Sequence, residues 1–383
     1  MDISGKPTAV GRLQALRART DAMVADLAAL VGVETPSEDL DACAAGAEAV
    51  AALAYEVFGE AGEVVEVEGR RHLRWRWPQA PGRPRIALVG HYDTVWPLGT
   101  LARWPFTVDE ATGRASGPGC FDMKAGIVQL FHAVAALDDR GGLEILLTCD
   151  EEVGSRTSRA LVEEAARGAR AALVLEASAD GAVKVGRKGT GMYRLDVDGR
   201  AAHAGLEPER GANALTALAR VLTALEAVAA PERGTTVTAT LAGAGTASNV
   251  VPAHAWAELD VRVAEPREAT RVDRELRALT TGVEGTRLRI SGGPRRPPMP
   301  AGAGAALHAR LAVLAAELGL GPIAGVSVGG GSDGNFTAAV GCPTLDGLGA
   351  VGNGAHAEGE WVSVAAMPER AALLAQLVDD LRG

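Results

Sequence analysis

The sequence predicts an α/β domain with helices on both faces of its sheet, interrupted by a smaller inserted α+β domain. Three observations point there. Over the first half, apolar runs of strand length alternate with segments of helical period, the order that builds a sheet covered on both faces. From about Lys188 the order becomes β-α-β-β-α-β, which places helices on one antiparallel sheet. A chain of 383 residues, 47% of them hydrophobic, is long enough to bury two cores. The expected boundaries are 1–187 and 299–383 for the outer domain and 188–298 for the insertion.

In order along the chain, "PRIALVGHYDTV" reads as a strand running into a loop, and "DMKAGIVQLFHAVAAL" as a helix with Asp122 as its capping residue. "LEILLTCDEE" reads as a strand, "SRALVEEAARGA" as a helix and "AALVLEAS" as a strand. The insertion reads as strand "GMYRLDVDG", helix "NALTALARVLTALEAVA", strands "TTVTATLAG" and "AWAELDVRV", helix "EATRVDRELRALTTGV" and strand "TRLRISG". In its first helix, Leu215, Leu218, Leu222 and Leu225 recur at helical spacing and predict one apolar stripe against the sheet. The Pro-rich stretch "GGPRRPPMPAGAG" reads as the linker back, because proline continues neither strand nor helix. A helix at "GAALHARLAVLAAELG", a Gly-rich loop "SVGGGSDGNF", a short strand at "CPTLDGLG" and a last helix "AAMPERAALLAQLVDDLR" complete the outer domain. There is no internal repeat.

Composition excludes several classes of function. A net charge of −10 and an isoelectric point near 5.3 argue against nucleic acid as a partner, since phosphates need a basic surface. The N-terminal "MDISGKPTAVGRLQALRART" lacks the basic flank and apolar run of a signal peptide, and no long uncharged apolar run follows. The expectation is a cytoplasmic protein with no membrane partner. Cys43, Cys120, Cys149 and Cys342 are scattered without a CxxC pair, so they read as reduced packing residues. The loop "GGGSDGNF" lacks the GK[ST] ending of a phosphate loop.

Chemistry concentrates in five short stretches. "GHYDTV" offers His91 and Asp93, "GCFDMKAG" Asp122, "CDEEVGS" Glu151 and Glu152, "VLEAS" Glu176 and "GNGAHAEGE" His356. Three of these groups follow apolar runs, where the carboxyl ends of strands converge and open α/β sheets place their sites. Like charges so crowded are costly unless something positive sits among them. Two imidazoles with several carboxylates suit zinc or a similar divalent ion, and one bridging carboxylate would hold two ions at ~3.5–4 Å. Neighbouring side chains in a strand or tight turn diverge, so Glu151 and Glu152 should divide the work, one on metal and one facing the substrate.

These stretches resemble, along nearly the whole chain, the di-zinc peptidases that include glutamate carboxypeptidase, acetylornithine deacetylase, succinyl-diaminopimelate desuccinylase and aminoacylase. The likeness to bacterial glutamate carboxypeptidases is marked in "GRAAHAGLEPERGANAL", "TASNVVPA", "LDVRV" and "GGGSDGNF". It implies a zinc-peptidase-like catalytic domain with a mixed sheet, and an inserted domain that serves as lid and dimer contact. It further implies two divalent ions, zinc with cobalt and manganese as alternatives, bridged by Asp122. His91 and Glu176 would complete one site, and Glu152 and His356 the other. Asp93 would orient His91 from behind, and Glu151 would be general base toward a water shared by the ions. His203 of "AAHAG" would stabilise the oxyanion from the partner subunit of a homodimer. Asn249 and Arg262 would hold a substrate carboxylate, with Gly330 and Ser332 of the Gly-rich loop also at the substrate. Two departures from the family pattern are Ala125 in "DMKAG", where many relatives carry glycine, and Trp96 after "DTV", where proline is common.

The function this implies is hydrolysis of an amide, peptide or N-acyl, next to a free carboxylate on a small-molecule substrate. The same scaffold leaves room for a biosynthetic N-deacylase, or for an amide-forming or C–N-cleaving enzyme. A non-catalytic binding module would have shed ligands, and none is missing. His72, His132, His254 and His308 match no motif and read as surface or core.

Overall fold

The computed structural model describes residues 8–79 and 82–383, so the first seven residues of the stretch read for a signal peptide lie outside the described residues. The chain divides into two compact units, one formed by the residues up to Gly186 with Ala301–Val328 and Ser332–Gly383, the other by Arg187–Pro300 with Gly329–Gly331.

The first unit opens with α1 (Ala9–Arg17), α2 (Thr20–Val31) and α3 (Leu40–Phe58). The first of these starts where the Thr8 side chain accepts a hydrogen bond from Gly11 N, and the third where Asp39 accepts from Ala42 N. There follow β1 (Glu63–Val67), β2 (Arg70–Arg76), β3 (Ile86–His91), α4 (Thr100–Arg103), β4 (Thr107–Asp109), β5 (Arg114–Ser116), α5 (Ala125–Ala135), β6 (Leu143–Thr148), α6 (Arg159–Ala166), β7 (Ala171–Val174) and β8 (Val183–Arg187). The second unit is β9 (Gly189–Asp198), α7 (Ala214–Val228), β10 (Thr236–Ala244), β11 (His254–Val263), α8 (Pro266–Arg277) and β12 (Arg287–Arg296). The first unit then resumes with α9 (Gly302–Glu317), β13 (Gly325–Val328), α10 (Gly334–Ala339), β14 (Thr344–Leu345), β15 (Gly352–Asn353), β16 (Trp361–Ser363) and α11 (Ala366–Arg382).

The main sheet of the first unit is mixed, in the order β1-β2-β6-β3-β7-β14. Strands β6, β3, β7 and β14 are mutually parallel, while β1 and β2 join antiparallel. Period-two alternation makes it two-sided. In β3, Ile86 and Leu88 enter the large core with α2, α3, α5 and α11, whereas Ala87 and Val89 pack on the opposite face with Val162 of α6 and Phe336 of α10. Both sets are buried, and that is why "IALVG" is an unbroken apolar run rather than an alternating one. A second, four-stranded sheet in the order β15-β16-β5-β4 carries the chain that bears His356.

In the second unit β10-β11-β9-β12 form one antiparallel sheet, with α7 and α8 against it. Two details differ from the expectation. Strand β12 runs on through "GGPRR" to Arg296 instead of ending before the prolines. It pairs only with β9, and a bulge falls at Pro294/Arg296, so a proline without an N–H is accommodated at this sheet edge. The stripe of α7 is made by Ala214, Ala217, Leu218, Val221, Leu225 and Val228, and Leu215 is 49% exposed. At 100° per residue Leu215 lies about 110° round the helix from the centre of that stripe.

The four cysteines are buried and free. Among the described residues no helix is long and apolar enough to cross a membrane.

Candidate metal centre

Neighbouring parallel strands β6, β3 and β7 end at one edge, and the site grows from that edge. The last residue of β3 is His91, the turn after β6 carries Glu151 and Glu152, and Glu176 stands two residues beyond β7. Asp122 comes from the Cys120–Lys124 turn ahead of α5. It does not cap that helix, as the sequence suggested; Lys124 precedes the first helical residue and no side chain caps it. The Asp122–Met123 peptide is cis. Met123 lies under β3, where its sulfur accepts from His91 N at 3.3 Å. The helix passes so close to β7 that a Cβ at Gly126 would sit 2.2 Å from Leu175 O, so this position requires glycine, whereas Ala125 before it is tolerated. His356 lies in the turn between β15 and β16, with φ at +62° after Gly354 at +89°.

The two oxygens of Asp122 face different imidazoles. Oδ1 is 3.3 Å from His91 Nε2, and Oδ2 is 3.4 Å from His356 Nε2. Glu176 Oε1 stands 3.5 Å from His91 Nε2, and Glu152 Oε2 3.1 Å from His356 Nε2. Ligand atoms of His91, Asp122 and Glu152 lie within 4.8 Å of one another, as do those of His91, Glu151 and Glu176. His91 Nε2 and Asp122 Oδ1 are buried yet neither makes a hydrogen bond. Two buried ligand atoms 3.3 Å apart with no hydrogen bond between them suit a cation held by both, so the residues fit divalent metal.

Electrostatics agree. Burial would depress the His91 imidazole, but Asp122, Asp93 and Glu176 hold it well above its ordinary value. Asp122 and Glu152 push His356 up to about 10. Burial would raise Asp122, and the two histidines bring it down instead. Burial raises Glu152. These directions have one cause, that clustered carboxylates favour positive charge in their midst.

Asp93 is fully buried and does more than stand behind a histidine. The His91 Nδ1 contact at 3.0 Å is to the backbone carbonyl of Asp93, and its carboxylate is 3.4 Å away. That carboxylate accepts from Glu151 N at 3.3 Å and Glu152 N at 3.2 Å, so it also sets the backbone of the Glu-Glu turn. Ser37, 56 residues earlier, donates to it at 2.7 Å, a partner that carries no mark in the sequence. Asp150, first of the three consecutive acids, accepts from Thr157 N and Oγ1 at 2.7 and 2.8 Å and is structural. Ser155 and Thr148 donate to Asp333, and the "SD" of the Gly-rich loop was the available hint. His72 bonds Thr157 Oγ1 at 3.0 Å and its other nitrogen faces Cys149 N at 3.3 Å, behind the same turn. His132, His254 and His308 are each engaged locally, with Asp26, Asp196 and Ile323 O.

Ser332 is fully buried; its hydroxyl donates to Asp346 at 2.5 Å and its amide to Asn335. Its donors are committed to holding the loop rather than presented to a ligand. His203, Asn249, Arg262 and Gly330 belong to the second unit. His203 and Asn249 lie on adjoining segments, with Ala204 N donating to Asn249 O at 2.9 Å. His203 Nδ1 accepts from Gly205 N and Leu206 N at 3.1 and 3.2 Å, which puts the ring proton on Nε2. Arg262 is gripped by Asp260 at 2.8 and 2.9 Å and donates to Gly329 O at 3.3 Å. Gly330 O accepts from Arg187 at 3.2 Å.

Residues 87–380 match the family described as Peptidase family M20/M25/M40. The chain belongs to this peptidase family. Carboxypeptidase G2 of Pseudomonas sp. (strain RS-16) is 32% identical over 312 residues, 78% of this chain and 74% of that one. Succinyl-diaminopimelate desuccinylase of Paracoccus denitrificans is 30% identical over 341 residues, 79% of this chain and 85% of that one. Among solved structures, a tripeptidase from Staphylococcus aureus superposes with a TM-score of 0.75 at 19% identity, covering 95% of this chain and 98% of that one. An M20 family metallo-carboxypeptidase from Sulfolobus solfataricus gives 0.72 at 15% identity, covering 94% and 99%. Those two share the fold. As a member of the M20/M25/M40 peptidases the protein is a metal-dependent hydrolase of amide bonds.

Proposed function

We propose that this peptidase cleaves an amide, peptide or N-acyl, whose nitrogen belongs to an amino acid with a free carboxylate, and that it works with two zinc ions as a homodimer in the cytoplasm. One observation carries the metal reading: Asp122 turns one oxygen to His91 and the other to His356. Asp122 would then be the shared ligand, with His91 and Glu176 holding one ion and Glu152 and His356 the other. Bound there, the ions supply Lewis acidity that polarises the scissile carbonyl and makes water a better acid.

Glu151 is the base in this reading. It is buried, on a turn that Asp93 fixes through two backbone amides, and in this role it would take a proton from the attacking water and return it to the leaving amine. His203, with its proton on Nε2, is a neutral donor suited to a developing oxyanion. Arg262 has five N–H groups. Three serve Asp260 and Gly329, and the remaining two are available to a substrate carboxylate, whereas Asn249 follows the opposite end of the β10–β11 pair and does not join Arg262 within one chain. Carboxypeptidase and desuccinylase relatives both act, by name, on substrates of this kind. Metal-loaded protein should release free amino acid from N-acyl amino acids and stop doing so when the α-carboxylate is amidated. Equal rates on acid and amide would sink the carboxylate reading.

The dimer rests on β10, an edge strand whose Thr238–Ala242 are exposed with Leu241 among them, a row of unpaired backbone open to a second copy. If His203 serves the partner's centre, His203→Ala and Glu151→Gln proteins, each inactive alone, should regain activity on subunit exchange. One active site of the heterodimer then carries both defects and the other neither. No regain, with exchange shown by mass spectrometry of differently tagged chains, would put His203 on its own chain's centre or outside the reaction.

A further inference from the structure

The Gly-rich loop "SVGGGSDGNF" contains an aspartate whose side chain serves a distant segment. Asp333 stands immediately before α10, where aspartate is a preferred helix cap, yet its side chain makes no capping hydrogen bond to that helix. It is 2% exposed and turns its carboxylate to the Glu-Glu turn instead. Oδ1 accepts from the Ser155 hydroxyl, 178 residues earlier in the chain, and Oδ2 accepts from the Thr148 hydroxyl at 3.2 Å, 185 residues earlier. The loop presents this carboxylate from a fixed base. Ser332 is bound to Asp346 and Asn335, and a Cβ on Gly334 would lie 2.7 Å from Asp346 Oδ2.

The two hydroxyls mark the ends of the turn. Thr148 is the last residue of β6, paired with His91 of β3, and its carbonyl accepts from Tyr92 N at 2.9 Å. Ser155 closes the other end, where its amide donates to Asp150 O at 2.7 Å, while Gly154 N donates to Glu151 O at 2.9 Å. Ser155 has φ at +54°, in the left-handed region that a residue with a Cβ enters only when its surroundings hold it there. Its fully buried hydroxyl is held by Asp333. Asp93 thus grips the middle of the turn through Glu151 N and Glu152 N, and Asp333 grips both ends. A buried carboxylate is costly unless its oxygens are hydrogen-bonded, and those of Asp333 serve the segment that carries Glu151 and Glu152.

We propose that Asp333 is a positioning residue for the general base: through Ser155 and Thr148 it fixes the turn that aims Glu151. This rests on the reading of Glu151 as base and deepens it. Small displacements matter at such a group, since a misplacement of about 1 Å can cost about 10²-fold in rate.

The test is a double-mutant cycle on metal-loaded protein. Asp333→Ala should lower kcat by about 10²-fold with KM and metal content close to those of the unaltered protein, and Asp333→Asn, which keeps one acceptor oxygen, should lose less. Added to Glu151→Gln, Asp333→Ala should cost little more, because two residues that act through one proton transfer are not additive. On metal-free protein, hydrogen exchange of residues 148–155 should quicken in Asp333→Ala while β3 and β7 keep their protection. Ser155→Ala and Thr148→Val remove the donors one at a time and should show smaller losses in the same direction, so they carry the test if Asp333→Ala does not fold. Unchanged kcat in a folded variant, a full further loss on the Glu151→Gln background, or loss of metal would overturn the proposal. Unchanged turnover in Glu151→Gln would remove the base reading and the proposal with it, but that failure is read in a variant that leaves Asp333 intact.

Discussion

Glu151→Gln should retain full metal content and lose turnover by about 10²- to 10⁴-fold, the range typical of a general base, while Glu152→Gln should lose metal. The amide keeps the shape of the carboxylate and its place in the turn but cannot accept a proton. The two neighbours differ in what they face. Glu152 has both oxygens near His356 Nε2, at 3.1 and 3.2 Å, and so serves the ion that His356 serves. Glu151 lies with His91 and Glu176, close enough that the geometry alone would admit it as a ligand. The measurement therefore pairs elemental analysis with steady-state rates. Equal metal loss in both variants would make Glu151 a ligand, and unchanged turnover in Glu151→Gln would remove it from the chemistry.

Asp122→Ala should empty both metal positions at once, where loss of Glu176 or His356 should empty one first. Removing a partner that merely orients a ligand costs about 10- to 100-fold in metal affinity, and a shared ligand should cost more. It would also remove the negative charge that Asp122 holds between the ion on the His91 side and the ion on the His356 side. Because the alanine alters the turn ahead of α5, Asp122→Asn serves as the companion variant, with circular dichroism to show that the fold is kept. Retention of two equivalents of metal by either variant, measured by plasma mass spectrometry, would break the bridging assignment. Chelation of the unaltered protein should abolish activity, and added divalent metal should restore it.

Much of this was legible in the sequence because it is local. "IALVGH", "EILLTCDEE" and "ALVLEAS" each show a buried strand followed by acids or a histidine, and parallel neighbours necessarily release such residues at one edge. The β-α-β-β-α-β order of the insertion was readable from its periods for the same reason. Errors fell where local patterning has no bearing on the outcome. Asp122 has the look of a helix cap, but two imidazoles compete for its oxygens and win. Pro294 has the look of a strand breaker, but edge position removes the penalty. Ser332 has the look of a binding-loop hydroxyl, but it donates its hydrogen bond to Asp346, 14 residues on, inside the core.

The sequence by itself determined which residue types are available for metal and proton transfer, and the two-sided sheet that lines up their strands, since both follow from side-chain chemistry and short-range period. Only the tertiary structure decided how they are shared. That Asp122 faces both histidines, and that Asp93 pins the Glu-Glu turn and takes a hydrogen bond from Ser37, are pairings between segments that approach only on folding. The reason is physical: distances of about 3 Å between side chains far apart in sequence depend on strand order and turn geometry, which no spacing along the chain encodes.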